Sequence, residues 1–167
     1  LRLYYRSKKG GLTDEALEAL FAQRIQYQTA HAARNYQALI ALARTKGTPL
    51  ASHDDTTQEH VAQAMRDGIA IAEFPTTVEA ATALHAAGIR VLMGAPNLVR
   101  GGSHTGNVAT LDLARAGVLD ILSSDYVPAS LLMATLALPR LVPGIDLPAA
   151  VRMVTRTPAE SVGLTDR

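Results

Sequence analysis

The first third of the chain carries an apolar pattern typical of a long helix. From Thr13 to Lys46 there is neither proline nor glycine, and leucine, isoleucine and tyrosine residues recur at helical spacing. Thr13 suits the N-cap, and Gly47 with the nearby Pro49 stops the helix. The pattern predicts helical structure over 13–46. It is either one continuous helix of about 50 Å or a helix pair broken near residues 31–35.

Residues 50–138 repeat one plan four times: an apolar run of strand length, a polar cluster and a helix. Near-continuous apolar strands joined by helices are typical of a parallel sheet covered on both faces, so we expect an α/β fold. Two short helices should follow in the last segment, residues 139–167. The four apolar runs are Leu50–Ser52, Ile69–Phe74, Ile89–Gly94 and Leu119–Asp125.

The segments between the runs predict where helices begin and end. Thr56 with Glu59, and Thr76 with Glu79, have the spacing of capping boxes. The third run leads into a predicted long loop, Ala95–Gly106, before a helix over about Asn107–Ala116. Five further helices are expected. One covers about Thr57–Asp67, one follows Thr77 and ends at Gly88, and one follows Pro128 and runs through Leu138. The last two cover Leu147–Val154 and Pro158–Val162.

Length and composition argue against several classes of function. The 167 residues, 48% of them hydrophobic, predict a single α/β domain over 1–167. A formal charge of +1 without charge runs argues against nucleic acid or an anionic membrane as a partner, and no apolar stretch is long enough to span a bilayer. Without cysteine, any metal must be held by His, Asp or Glu. We expect a cytoplasmic protein.

Polar side chains gather after each apolar run. In parallel α/β folds the functional side chains come from the carboxyl ends of the strands, so these clusters are the candidate site. The candidates are His53, Asp54 and Asp55 after the first run, Glu73 in the second, Asn97, Arg100, Ser103 and His104 after the third, and Ser123, Ser124 and Asp125 at the end of the fourth.

His53 and Asp125 are the candidate metal ligands. An imidazole and a carboxylate at strand ends suit a divalent cation that activates water, with Asp125 also able to take the proton. The alternative is structural, with His53 bonded within a turn and Asp125 capping a helix. Glu73 either lies near the metal or pairs with a base. The helical histidines His31, His60 and His85 are expected to be solvated or packed.

The segment from Arg100 to Gly106 combines a cation, a hydroxyl and an imidazole with three glycines. Gly101 and Gly102 could let backbone N–H groups approach an anion beside Arg100, Ser103 and His104, which is typical of a phosphate-binding loop. An ordinary flexible loop explains the same glycines.

These clusters resemble the phosphonate metabolism protein M family of the amidohydrolase superfamily. Four blocks in order carry the resemblance, and the segments Tyr4–Gly11 and Thr157–Glu160 also fit it. The blocks are Ser52–Thr57, Ala72–Thr77, Met93–His104 and Leu122–Ser130.

The resemblance implies hydrolysis of α-D-ribose 1-methylphosphonate 5-triphosphate to the 5-phosphate and diphosphate, in the carbon–phosphorus lyase pathway. It also implies a divalent metal, Zn, Mn, Fe or Mg, with His53 as a ligand and Asp125 as the ligand that activates water. The residues expected to bind the phosphates are Arg100, Ser103 and His104, together with Asn97, Gly101 and Gly102. Four further residues are expected to surround the metal ligands and the phosphate-binding residues: Asp54, Asp55, Glu73 and Ser124.

The chain departs from the family pattern in its extent. The superfamily's His-x-His pair and its ligand after strand four have no counterpart, so we expect strands five to eight of a (β/α)8 barrel of about 250 residues. Half a barrel has two unpaired strand edges, so we expect a homo-oligomer. Two other functions stay open: a deaminase or cyclic-amide hydrolase of the same superfamily, and an inactive fragment that serves as a binding or assembly module.

Overall fold

A computed structural model describes residues 13–103 and 106–165 of the chain. The chain divides into two compact units, Leu1–Thr48 and Pro49–Arg167, which we describe separately. The expected organisation as a single domain stays a prediction. Within the described residues, no helix is both long enough and apolar enough to cross a lipid bilayer.

The described part of the first unit is one helix, α1, over Asp14–Lys46. The Thr13 side chain accepts a hydrogen bond from the Ala16 N–H at its start, and Gly47 ends it in the left-handed conformation with φ 61°. Acidic residues in the first turn and basic residues in the last turn complement the helix dipole. The helix is continuous, so the predicted helix pair is not observed.

The second unit contains a four-stranded parallel sheet in the order β1-β2-β3-β4, which confirms the α/β class. The sequential order follows from crossover helices that each carry the chain to the next parallel strand. The fraction of a barrel that this sheet represents stays a prediction. The elements are β1 Leu50–His53, α2 Gln58–Asp67, β2 Ile69–Glu73, α3 Val78–Ala86, β3 Arg90–Gly94, α4 Ala95–Arg100, α5 Thr110–Arg115, β4 Ile121–Ser123, α6 Pro128–Leu141, α7 Leu147–Arg152 and α8 Arg156–Ser161.

The core of this unit lies between the central strands and their crossover helices. Strand residues such as Val91 are fully buried, and they belong to the same apolar cluster as Leu84, Leu113 and Leu138 from three helices. Each fully buried leucine contributes about 2 kcal/mol through the apolar surface it removes from water. In contrast, β1 alternates half-buried and exposed side chains, as expected of an edge strand.

The starts of α2 and α3 differ from the predicted capping boxes. The N-cap residues are Thr57 and Thr77, one position later than Thr56 and Thr76. The earlier threonines instead connect the two strand-to-helix loops, because the Thr76 hydroxyl donates to Thr56 Oγ1 at 2.8 Å. The sequence placed threonines at both positions, and the course of the chain after each strand decided which one caps the helix.

Glu59 in the first turn of α2 provides a test of this cap. A hydrogen bond with the Thr57 side chain is the main reason why the pKa of the Glu59 carboxyl lies below its ordinary value, followed by a backbone hydrogen bond. A lowered folded-state pKa stabilises the fold above the unfolded pKa, and this contribution disappears as pH falls through the folded pKa. We expect an NMR titration to show that Thr57→Val raises the pKa of Glu59, whereas Thr48→Val leaves it unchanged. An unaltered Glu59 titration in Thr57→Val would contradict the cap.

Two further predictions from the pattern were wrong at their boundaries. The predicted loop Ala95–Gly106 begins with the helix α4, Ala95–Arg100. Proline stands near its first position, Gly94 is its N-cap and the left-handed Gly101 is its C-cap. Helix α6 continues through Pro139 to Leu141, beyond the predicted end at Leu138. Pro139 has no N–H to donate, so the helix continues past it with one backbone hydrogen bond missing.

A charged network lies where β3 begins and the chain enters β4. Asp120 accepts hydrogen bonds from the Val91 N–H at 2.9 Å and from Arg90 at 3.2 Å, and its carboxylate lies 2.9 Å from His85 Nδ1. Its side chain is only 9% exposed. The hydrogen bonds from its partners therefore replace the hydrogen bonds to water that this carboxylate loses on burial. His85 was expected to be solvated or packed, and it is half-buried with its Nδ1 beside this carboxylate.

Candidate functional site

Residues that follow all four strands line one cavity of about 240 Å³ at the carboxyl edge of the sheet. Asp54 follows β1, Phe74 follows β2, Gly94 ends β3, and Asp125 lies two residues after β4. The rest of the wall comes from the neighbours of these residues and from α4 and the segment after it: Pro75, Met93, Pro96, Asn97, Arg100, Ser103, Asn107, Val108 and Tyr126. Parallel strands bring these loops together because their carboxyl ends share one edge.

Backbone strain is concentrated at this cavity. In the described part of the chain, the non-glycine residues with a positive φ are Asp54 at 61°, Phe74 at 55° and Asp125 at 49°. All three line the cavity. A left-handed backbone costs an L-residue about 1 kcal/mol, and it is least expected for a bulky side chain such as phenylalanine. Strain of this kind persists where the surrounding fold enforces it, and it clusters at functional sites.

His53 lies beside the cavity and does not line it. Its Nδ1 is 3.1 Å from Asp54 Oδ2, and both side chains are more than half exposed. Its ring also meets the Phe74 ring edge-on, with the centroids 5.3 Å apart. Among the described residues Nε2 has no hydrogen-bond partner. A histidine that ligates a metal through one nitrogen commonly donates the other to a carboxylate, so this pairing suits a ligand.

Asp125 presents its carboxylate to the cavity next to the end of β3. A Cβ atom on Gly94 would lie 3.6 Å from Asp125 Oδ2 and 3.4 Å from the Phe74 ring. Both distances correspond to ordinary van der Waals contact, so the Asp125 carboxylate and the Phe74 ring lie directly against the end of β3. Across the described residues, no hydrogen bond or ion pair engages the Asp125 carboxylate, so its oxygens are available to a ligand.

The described residues fit part of a metal site. Within residues 13–103 and 106–165, no group of three or more His, Asp or Glu side chains is close enough to hold an ion together. The two predicted ligands come from opposite edges of the sheet, because His53 ends β1 and Asp125 follows β4. Catalytic zinc sites have three protein ligands. The chemistry of His53 and Asp125 suits such an ion, and further ligands would have to come from elsewhere.

The predicted phosphate loop is divided between a helix and the segment after it. Arg100 is the last residue of α4, it lines the cavity, and its Nη2 donates to the Tyr126 hydroxyl at 3.2 Å. Ser103 lines the cavity as well. The N–H groups of Gly101 and Gly102 donate to carbonyls at the end of α4, and neither glycine lines the cavity. His104 lies outside the described residues.

Asn97 both lines the cavity and braces the chain around it. Its Oδ1 accepts a hydrogen bond from the Thr110 N–H at 2.9 Å, and its Nδ2 donates to the Val108 carbonyl at 3.4 Å. These bonds join α4 to the start of α5. Because both ends of the amide are occupied, Asn97 has less capacity to bind a ligand than the sequence indicated.

The other predicted residues surround the cavity without lining it. Asp55 is buried and accepts a hydrogen bond from Ser52, which fixes the turn that carries His53 and Asp54. The Ser124 carbonyl accepts from the Val127 N–H and thereby supports the turn into α6. Glu73 ends β2 next to this turn, and its carbonyl accepts from the Asp54 N–H.

Sequence reasoning missed Phe74, Asn107 and Tyr126 as cavity residues. Phe74 and Tyr126 each stand in one of the strand-end clusters, directly after Glu73 and Asp125. That adjacency was the available signal, and it was overlooked because the search favoured charged and metal-ligating side chains.

A curated protein is similar in sequence to this chain. The chain is 47% identical over 167 residues to the alpha-D-ribose 1-methylphosphonate 5-triphosphate diphosphatase of Escherichia coli (strain K12). The chain is a relative of that diphosphatase. The resemblance to the phosphonate metabolism protein M family is therefore confirmed.

The alignment to the diphosphatase covers 99% of this chain and 44% of the relative, so the chain spans less than half the length of the curated protein that it matches. This extent fits the predicted carboxyl-terminal portion. No family model matches the chain, and no solved structure matches it.

Proposed function

We propose that this chain forms the carboxyl-terminal part of a metal-dependent diphosphatase. The reaction is hydrolysis of α-D-ribose 1-methylphosphonate 5-triphosphate to the 5-phosphate and diphosphate. The observation that supports this most directly is the cavity in which Asp125 and Arg100 line the same wall. The relative, which is named for this reaction, supplies the substrate class. The sheet then represents strands five to eight of a barrel whose other strands complete the site.

Hydrolysis of the anhydride requires a base and stabilisation of negative charge. A water oxygen forms a bond to one phosphorus, the bridging oxygen leaves with the other phosphoryl group, and the water loses a proton. Asp125 has a free carboxylate at the cavity wall, so it is the residue to take that proton.

A divalent cation held by His53, Asp125 and further ligands would lower the pKa of the attacking water and neutralise phosphate oxygens. Two contacts in the described residues support this proposal. Asp54 orients the His53 imidazole through Nδ1, and the left-handed backbone of Asp125 turns its carboxylate toward Gly94.

Arg100 favours an anionic substrate. No carboxylate pairs with it among the described residues, so its positive charge is available to phosphate oxygens that gain charge during transfer. Ser103 adds a hydroxyl to the same wall. The neutral bases and cyclic amides of the alternative functions would have no use for this cation, and for this reason we favour the phosphorylated substrate.

Diphosphate release from the ribose triphosphate tests the proposal. We expect the assembled enzyme, in which the other strands of the barrel complete the site, to release diphosphate when divalent metal is added. Release should stop after chelation and recover when the metal is restored. Metal analysis on the same sample checks that the lost activity follows the lost ion. Release that persists in fully chelated protein would overturn the metal dependence. A folded oligomer with neither bound metal nor release would favour a binding or assembly module.

A further inference from the structure

Arg100 is held at the cavity wall by a neutral partner. Its Nη2 donates to the Tyr126 hydroxyl at 3.2 Å, and the described residues offer it no carboxylate within ion-pair distance. Here the phenol fixes the guanidinium and leaves the full positive charge for another anion.

Tyr126 reaches the cavity because of the strained turn that precedes it. Asp125 adopts φ 49°, and Pro128 then begins α6 two residues beyond Tyr126. The Tyr126 side chain remains 64% exposed while it lines the same cavity as Asp125 and Arg100. The turn that places the Asp125 carboxylate therefore also places this phenol.

The hydrogen-bond capacity of the phenol is only partly used. A guanidinium donates and never accepts, so in this pair the Tyr126 oxygen is the acceptor and its own proton stays available. The remaining Arg100 N–H groups are available in the same way. Two donors, one of them charged, thus stand side by side at an open wall, which matches the several acceptor oxygens of a phosphate group.

We propose that Tyr126 is a substrate-binding residue that acts with Arg100 to bind one phosphate group of the oligophosphate. This inference rests on the proposed function and adds a residue to it. The Tyr126 hydroxyl orients Arg100 and donates its proton to a phosphate oxygen. Because Tyr126 directly follows Asp125, a phosphate bound here lies close to the carboxylate that takes the proton from water.

Tyr126→Phe isolates this hydroxyl. The change removes one oxygen from an exposed side chain, so we expect an unchanged melting temperature. Loss of a hydrogen bond to a charged group should raise KM for the ribose triphosphate about tenfold, while kcat changes less than about threefold. Tyr27→Phe is the matched control, because Tyr27 is 65% exposed and lies on α1. It should leave both constants unchanged.

A double-mutant cycle tests whether the two residues act together. Arg100→Ala should raise KM more than Tyr126→Phe does, since it removes the charge. In the Arg100→Ala background, Tyr126→Phe should cost less than in the wild type, because the phenol then has no guanidinium to orient and only its own hydrogen bond to phosphate is lost. Purely additive effects would overturn the proposed pairing.

Binding of inorganic tripolyphosphate, measured by calorimetry, separates this inference from the function beneath it. We expect wild-type protein to bind it and Tyr126→Phe to bind it about tenfold more weakly. If the wild type binds tripolyphosphate and cleaves the substrate but Tyr126→Phe matches it in both assays, this inference fails and the proposed function stands. If the wild type neither binds nor cleaves, both fail.

Discussion

Replacing Asp125 by asparagine is expected to slow diphosphate release at least about a hundredfold while the protein stays folded. The carboxylate is the proposed base and metal ligand, and proton transfer by one positioned side chain contributes about a hundredfold or more. Asparagine is the informative substitution because it keeps the shape and also tolerates the left-handed backbone at φ 49°. Alanine would add strain at this turn and confuse the result.

The measurement is kcat for diphosphate release at saturating metal, with circular dichroism to confirm the fold. Asp112→Asn is the control, since Asp112 is an exposed aspartate on α5 that does not line the cavity. It should retain full activity. Normal turnover in Asp125→Asn would remove Asp125 from the mechanism and leave the base to another residue.

Asp120→Ala is expected to give the largest loss of stability. The substitution leaves the Val91 N–H without its acceptor on a fully buried residue, and it removes the carboxylate that contacts His85 and pairs with Arg90. Those two side chains are 38% and 49% exposed and can turn to water, so we expect a loss of about 2–3 kcal/mol, less than a fully buried pair would cost. Urea unfolding measures it directly.

Glu160→Ala is the matched comparison for that loss. It breaks the ion pair between Arg156 and Glu160, which lies on the surface of α8 with the arginine 72% exposed. Exposed pairs of this spacing contribute about 0.3–0.5 kcal/mol. If both variants unfold at the same urea concentration, the Asp120 network does not stabilise the sheet.

The elements with strong local signals were predictable. The limits of α1 follow from its cap residues and from an interior without proline or glycine, and the four apolar runs became the four strands. Errors occurred where two local signals competed. Two adjacent threonines preceded α2, and the proline near the start of α4 stood shortly before a glycine-rich segment. The local sequence pattern cannot decide which residue caps a helix or where a helix begins in such segments, because tertiary packing decides it.

The candidate site was predictable as a region and less so as a set of side chains. Strand ends had to share one edge, so Asp54, Arg100 and Asp125 could be collected from sequence. The sequence could not show which hydrogen-bond partner each polar group has. Gly102 donates its N–H to the end of α4, and the Asn97 amide closes a loop. Both were expected to bind phosphate.

The sequence by itself determined the class of fold, the order of its elements and the resemblance to the diphosphatase, because these depend on residue periodicity and short motifs that are local in the chain. Only the tertiary structure decided which side chains meet. The Arg100–Tyr126 hydrogen bond, the Asp120 network and the approach of Asp125 to Gly94 join residues that are 26 to 35 positions apart in the chain. The distances in space between these side chains depend on strand register and backbone strain, which arise only when the sheet is assembled.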